Sequence, residues 1–175
     1  VLDGSMGVLL QSRGLSEADT RGERFRDHTH DLKGHDGVLV LSRPDITEAV
    51  HREYLDAGAD LLTTATFNGS SISLADYALE GIALELNYQA ARIARRLADE
   101  YTARNPRKPR FVVGDLGPLP KTLSLSPDVN DPAFRAVTFD QVREAYAIQV
   151  LGLLEGGADT LMIETIFDTL NAKAA

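Results

Sequence analysis

The side chains best suited to chemistry lie in polar, glycine-bearing stretches that each follow a short apolar run of the sequence. Asp3 opens one such stretch and Glu164 another, and Gly4, Ser5 and Thr64 occupy the same kind of position. Two carboxylates suit an ammonium group, whereas backbone amides at glycine-containing turns suit a carboxylate. Brought together, these residues would bind an amino acid.

Three of these residues also have a purely structural interpretation. Asp3 precedes a glycine, and Asp-Gly is a common turn pair. Thr64 suits a strand by propensity alone. Glu164 ends a strongly apolar run, where a carboxylate with only a structural role would need a buried partner. The sequence therefore favours a ligand contact most clearly for Glu164.

The composition is that of an ordinary folded protein without a basic surface. Of 175 residues, 43% are hydrophobic and 25% are charged, so there is enough apolar material for a core. The formal net charge is -8, whereas nucleic acids and anionic membranes are bound through clustered Lys and Arg. No run approaches the ~20 apolar residues of a membrane span. We expect neither nucleic acid nor membrane among the partners.

The chain contains no cysteine, which excludes disulfides, thiolate metal ligands and a cysteine nucleophile within it. A chain without disulfides is compatible with the cytoplasm, where we expect this protein to reside. His28 and His30 offer an alternative metal motif, because such pairs bind metals in barrel hydrolases. The residues before them, 24–27, do not read as an apolar strand, so a solvated loop is the favoured interpretation.

The predicted helices are marked by their ends. The related motifs DAGAD at 56–60 and EGGAD at 155–159 each place a glycine, able to adopt a left-handed conformation, after an amphipathic stretch. Ser42 with Pro44 offers a start signal for the first of these helices. Thr138 with Gln141 predicts a capping box for the second. Two further helical stretches are predicted at 82–104 and 170–175.

Apolar runs between these helices predict buried strands at 61–66, 111–114 and 161–165, with residues 1–2 as the stub of a fourth. Strands that alternate with helices indicate βαβ units and a parallel sheet. About four such units would form either half of an eightfold barrel or a small open sheet. Both architectures bind ligands at the carboxyl ends of their strands, where the polar stretches lie.

Six stretches of the sequence resemble the homocysteine S-methyltransferase family, and within it the homocysteine-binding domain of the cobalamin-dependent methionine synthases. They cover almost the whole chain: LDGSMG at 2–7, RGERF at 21–25, DLKG at 31–34, YLDAGAD at 54–60, LSLSPDVNDPAFRAVTFD at 123–140 and ETIFDTLNAKAA at 164–175. The resemblance implies an α/β fold, namely the first half of a TIM-type (β/α)8 barrel. Residues 1–175 would then form a partial domain that continues beyond the C-terminus.

The resemblance also implies a division of roles. Asp3 and Glu164 would hold the ammonium group of homocysteine, while the amides of Gly4 and Ser5, with Thr64 nearby, would face its carboxylate. A zinc ion would keep the homocysteine sulfur as a thiolate.

The three cysteine thiolates that hold this zinc are expected beyond Ala175. Methylcobalamin on another domain would donate the methyl group. This segment alone would bind neither cofactor, contain no catalytic residue and be inactive.

The implied partners are homocysteine, the remaining half-barrel, and the folate- and cobalamin-binding domains of a longer methionine synthase. Alone, a half-barrel should be poorly stable because its sheet edges and apolar helix faces stay uncovered.

The chain departs from the family pattern at three strand or loop ends: 63–67 reads TTATF where the family has ETNTF, 117–122 reads GPLPKT for GPTNRT, and 34–37 reads GHDG for GNND.

Three alternative functions stay open at this point. One is a homocysteine methyltransferase with another methyl donor, although the PDVNDP and DTLNAKAA stretches favour the cobalamin type. A second is a non-catalytic remnant or gene fragment, favoured by the changed strand ends and the absent cysteines. The third is a metal-dependent barrel hydrolase, which depends only on His28 and His30.

Overall fold

A computed structural model describes residues 1–175. Its centre is a three-stranded parallel sheet in the order β1-β2-β3, formed by β1 (Leu61–Thr63), β2 (Phe111–Leu116) and β3 (Thr160–Ile163). Leu2 makes an isolated parallel bridge to Leu61 on the outer side of β1. Four consecutive chain segments therefore run side by side in one direction, as the sequence predicts.

Eight α-helices surround one side and the ends of this sheet. They are α1 (Met6–Ser12), α2 (Glu17–Arg21), α3 (Leu39–Ser42), α4 (Pro44–Asp56), α5 (Ser71–Leu74), α6 (Ala83–Arg104), α7 (Phe139–Gly156) and α8 (Thr169–Ala174). The long helices α4, α6 and α7 are the crossovers between successive strands. No helix is both long enough and apolar enough to span a membrane.

The helix ends mostly confirm the sequence-based prediction. Gly58 and Gly157 both have φ of +103°, the left-handed conformation predicted after α4 and α7. The Thr138–Gln141 capping box is present at the start of α7. The start of α4 differs, because Pro44 is its first residue, the cap is Arg43, and Ser42 ends the preceding helix α3. Proline at this position costs no helical hydrogen bond, so the proline alone determines the boundary.

The last helix, α8, begins one residue earlier than predicted and ends one residue earlier. Asp168 caps its start by accepting from the Leu170 amide, so Thr169 is its first residue. Ala175 is its C-cap rather than a helical residue, and the Ala175 amide donates to the Asn171 carbonyl at 3.0 Å. Ala175 is half-buried and packs against the core cluster that contains Tyr146. The C-terminal residue is therefore part of the folded unit.

The strand ends differ from the prediction in length. β1 stops at Thr63, because the Thr66 amide bonds back to the Thr64 carbonyl in a tight turn. β2 extends to Leu116, two residues beyond the predicted end, because residues Gly114 to Leu116 pair with β3. A strand continues for as long as its neighbour offers hydrogen-bond partners, which a single apolar run does not reveal.

Close contact between α6 and α7 fixes these two crossovers on the sheet. A Cβ at Gly152 would lie 2.7 Å from the Leu84 carbonyl oxygen, and one at Gly156 would lie 2.5 Å from that of Tyr88. Only glycine lets the helix backbones approach so closely. On the other side of α7, Tyr146 is fully buried and its hydroxyl donates to the Gly117 carbonyl at 2.8 Å. This contact ties α7 to the carboxyl end of β2.

Both edges of the sheet are uncovered. Leu2 is 42% exposed at one edge, and Ile163 of β3 is 49% exposed at the other. Unpaired strand edges and exposed apolar side chains favour association with further chain. The predicted poor stability of the isolated segment stays a prediction.

His51 in α4 carries a prediction about acid stability. Its side chain is fully buried, neither ring nitrogen has a hydrogen-bond partner, and burial lowers its pKa from 6.5 to about 4. Below pH 6.5 the His51 ring gains a proton in the unfolded chain, whereas in the folded chain it stays neutral down to about pH 4. The free energy of unfolding therefore has its full value above pH 6.5 and decreases as the pH falls towards 4. His51→Leu should remove this loss, which amounts to about 2 kcal/mol at about pH 5.

Urea unfolding at a series of pH values measures this effect. The matched control is His30→Leu, because His30 is exposed and this substitution removes a histidine that folding does not bury. Equal acid sensitivity of His51→Leu and the parent would refute the prediction.

Candidate functional site

A cavity of about 560 Å³ opens at the carboxyl edge of the sheet. Every strand and the first glycine-bearing stretch contribute to it. Its lining consists of residues Leu2, Asp3, Gly4, Ser5, Met6, Gly7, Leu10, Gln11, Gly34, Asp36, Gly37, Thr63, Thr64, Ala65, Phe67, Asn68, Asp115, Met162, Glu164 and Thr165. All five residues predicted from the sequence to contact a ligand are therefore brought to one cavity.

Asp3 is held rigidly at the end of the first strand. Its carboxylate accepts a hydrogen bond from the Thr63 amide at 2.9 Å and another from the Thr63 hydroxyl at 2.8 Å. Burial raises the pKa of Asp3 to about 6; these hydrogen bonds oppose the shift, and the charge of Glu164 adds to it. The carboxylate thus points into the cavity, with Thr63 orienting both of its oxygens.

Glu164 follows β3 directly and is half-buried. Its amide donates to the Leu116 carbonyl at 3.1 Å, which continues the pairing with β2 by one step. The next residue, Thr165, has φ of +54°, an uncommon conformation for a β-branched side chain. Strained backbone of this kind concentrates at ligand-binding sites, where the surrounding structure maintains it.

Asp115 is a third carboxyl group in the cavity, and the sequence did not single it out. It lies on β2, is 4% exposed, and lines the cavity together with Glu164. Burial, followed by the charge of Glu164, raises the pKa of Asp115 to about 8. The stretch 114–118 was predicted to be a strand end, but the face on which Asp115 lies depends on the extension of β2, which the sequence did not reveal.

Asp36 adds a fourth acidic side chain from the 3-10 turn (Asp36–Val38) before α3. Its Oδ2 lies 3.5 Å from the position of a Cβ on Gly7, and burial raises its pKa. No Lys, Arg or His lines the cavity. A cavity with several partly buried acids and no cationic side chain is suited to a cationic group of a ligand.

Gly4 and Ser5 form the backbone wall beside Asp3. Neither amide donates in a backbone hydrogen bond, so both are free to meet an anionic group. The Ser5 carbonyl accepts from the Tyr54 hydroxyl at 3.0 Å, and a Cβ at Gly4 would lie 2.9 Å from that same hydroxyl oxygen. A larger residue here would displace the Tyr54 ring and its hydrogen bond to Ser5.

Thr64 lies at the cavity, but its hydroxyl is already engaged. It accepts from the Asp115 amide at 2.9 Å and lies 2.7 Å from the Thr66 hydroxyl, which itself donates to the Asp115 carbonyl. Since the single proton of Thr66 is used, Thr64 donates to Thr66. Thr64 therefore positions β2 and Asp115, and its hydroxyl has no proton left for a ligand carboxylate.

The residues of this chain do not fit a zinc centre. There is no cysteine, and no three His, Cys, Asp or Glu side chains form a group that could hold a metal ion. The Nε2 atom of His28, one member of the possible metal-binding pair, lies 2.8 Å from the Tyr77 carbonyl oxygen. The zinc cysteines expected beyond Ala175 stay a prediction.

Asp168 connects two of the sequence stretches that carry the family resemblance. Its carboxylate accepts from the Leu123 amide at 2.8 Å, from the Ser124 amide and hydroxyl at 2.8 and 2.7 Å, and from the Leu170 amide at 2.9 Å. Burial opposes ionisation, but these hydrogen bonds prevail and lower the pKa of Asp168 to about 2. The residue caps α8 and ties the loop after β2 to the end of the chain.

Parallel βα units with a cavity at the carboxyl ends of the strands define the chain as an α/β protein with a parallel sheet. The family model described as homocysteine S-methyltransferase matches residues 1–175. The chain belongs to the homocysteine S-methyltransferase family.

Solved structures share this fold. The metallated form of the homocysteine methyltransferase MmuM from Escherichia coli aligns with a TM-score of 0.72 at 24% identity, over 99% of this chain and 56% of that one. Its oxidized form gives 0.71 at 24% identity, over 99% and 55%. The chain thus spans about half the length of these structures. The likeness confirms the predicted α/β fold as part of a TIM-type barrel.

Proposed function

We propose that this chain binds the amino-acid end of homocysteine within a methyltransferase. The observation that carries the proposal is a cavity with four acidic side chains and no basic one, formed at the strand ends of a member of this family. Asp3 and Glu164 hold the ammonium group, and the free amides of Gly4 and Ser5 receive the carboxylate. The side chain of homocysteine then extends away from both groups towards the open side of the sheet.

The segment's own contribution is to bind and orient. Charge-assisted hydrogen bonds at both the ammonium and the carboxylate fix the amino acid in one direction, which brings its sulfur to a defined place. Activation of the sulfur and transfer of the methyl group belong, in this proposal, to a remaining half-barrel in a longer protein. The nearly twofold greater length of the MmuM structures and the uncovered sheet edges support that division.

The finer identity is also a proposal. We propose methylcobalamin as the methyl donor, zinc bound by cysteines outside residues 1–175, and folate- and cobalamin-binding domains on the same polypeptide, as in a cytoplasmic methionine synthase. The support is the resemblance of 123–140 and 164–175 to the cobalamin-dependent type.

Calorimetry on the natural full-length protein tests the binding proposal. Homocysteine should bind at least about tenfold more tightly than 4-mercaptobutanoate, which lacks the amino group, because the charge-assisted contacts of an ammonium are worth ~1.5–3 kcal/mol each. Equal affinity for the two compounds would contradict the assigned ammonium site. Homocysteine binding without methyl transfer from methylcobalamin would instead favour another donor or a non-catalytic protein.

A further inference from the structure

Asp115 and Glu164 meet across two neighbouring strands. Asp115 pairs in register with Met162, and Glu164 lies two residues further along, so both side chains point to the same face of the sheet. The Glu164 amide also bonds to Leu116, which keeps the two chains together at this point. Both carboxyl groups therefore line the same cavity from adjacent strands.

One carboxyl oxygen of Asp115 lacks the partner that a buried carboxylate needs. The side chain is 4% exposed, and its Oδ1 is buried without a hydrogen-bond donor. The donors around it are used elsewhere: Thr66 donates to the Asp115 carbonyl, and Gln149 donates to the carbonyls of Thr66 and Asp115. An ionised, unpaired carboxylate in this position would be costly, whereas a protonated one gains a donor of its own.

The groups that face Asp115 all favour retention of a proton. Glu164 brings negative charge from the end of the neighbouring strand β3, Asp3 adds its charge from the far side of β1, and the half-buried Asp36 faces the same cavity from the 3-10 turn before α3. No cationic side chain lines the cavity. Buried His35, beside that loop, bonds through Nε2 to the Asn68 carbonyl, and burial lowers its pKa, so it adds no positive charge.

We infer that Asp115 is a positioning residue that holds a proton in the free protein and donates it in a hydrogen bond to Glu164. The proton keeps the two buried acids from repelling each other and fixes the Glu164 carboxylate in the orientation that meets the ligand ammonium. The inference rests on the proposed homocysteine site, to which it adds a third acid with a distinct role.

Difference infrared spectroscopy detects the proton on Asp115 directly and needs no ligand. The natural full-length protein at about pH 7 should show the carbonyl stretch of a protonated carboxylic acid, and Asp115→Asn should lack it. The band should disappear as the pH rises through about 8. Absence of the band at neutral pH would overturn the inference while leaving the homocysteine site untouched.

Measurement of homocysteine binding tests the positioning role of Asp115. Asp115→Asn keeps a hydrogen-bond donor and should retain affinity within about threefold, whereas Asp115→Leu removes it and should weaken binding by about tenfold or more. Equal weakening by the two substitutions, in variants whose circular dichroism matches the parent, would overturn the positioning role. If the infrared band is present but the unchanged protein does not bind homocysteine, the proposed function fails, and with it the role of Asp115 in orienting Glu164 towards a ligand.

Discussion

Replacement of Glu164 by glutamine is expected to weaken homocysteine binding by about ten- to a hundredfold. The substitution keeps the size of the side chain but removes the negative charge that we propose meets the ligand ammonium, in a cavity lined by no cationic side chain. A charge-assisted hydrogen bond contributes ~1.5–3 kcal/mol, and each ~1.4 kcal/mol changes affinity about tenfold. Calorimetric titration of the natural full-length protein with homocysteine measures the change.

Glu155→Gln is the matched control for this experiment. Glu155 lies exposed near the end of α7 and outside the cavity, so the same chemical change should leave affinity unaltered. Homocysteine binding by Glu164→Gln as tight as that of the parent would refute the ammonium contact.

Glu164 is a cleaner choice for substitution than Asp3. Both Asp3 oxygens accept hydrogen bonds from Thr63, so Asp3→Asn would place an amide NH₂ against a donor of β1. A loss of binding in Asp3→Asn would then have two inseparable causes, the lost charge and the disturbed end of the strand. Asp3 thus has a structural role, but through β1 rather than within a turn, and its contact with a ligand stays a prediction.

The structural elements that depend on local rules could be predicted from the sequence. Gly58 and Gly157 mark helix ends because a left-handed residue is needed there, and the Thr138–Gln141 capping box is a contact between residues three apart. These signals lie within a few residues of each other. The alternation of strands and helices then determined the parallel sheet and the edge at which a ligand cavity should lie.

Asp115 and Asp36 were missed because their roles depend on distant partners. The acidity of Asp115 matters only once β2 extends far enough to bring it against Glu164, 49 residues along the chain. The role of Thr64 changed for the same reason, since the amide that engages its hydroxyl lies on the neighbouring strand. A single sequence shows which residues follow an apolar run, but not which face each residue occupies.

The departures at residues 63–67 therefore have a different meaning in the folded chain. Thr63 stands where the family pattern has glutamate, but the cavity is not short of acidic groups. Thr63 orients Asp3, and Asp115 on the adjacent strand supplies a carboxyl group to the same cavity. The acidic character of the cavity thus results from residues on several strands rather than from one motif.

Gly117→Ala is expected to destabilise the fold by about 1–3 kcal/mol and to disturb the cavity at the same time. A Cβ at this position would lie 2.3 Å from the Phe67 carbonyl oxygen and 2.9 Å from its ring. The clash cannot be relieved by a side-chain rotation alone, because its nearest atom is backbone. The Gly117 carbonyl also accepts from the buried Tyr146 hydroxyl, so a shift of this segment strains α7 as well.

Thermal unfolding should show the loss as a lower Tm, by about 2–4 °C for each kcal/mol in a chain of this size. Gly81→Ala is the control, because no atom lies within 4 Å of the Cβ it would add. Phe67 lines the cavity, so its displacement in Gly117→Ala should also reduce homocysteine affinity, which the control should preserve. An unchanged Tm and an unchanged affinity in Gly117→Ala would contradict the prediction. They would show that the loop after β2 shifts to relieve the clash with Phe67, and that the close approach of these two backbones does not define the cavity wall.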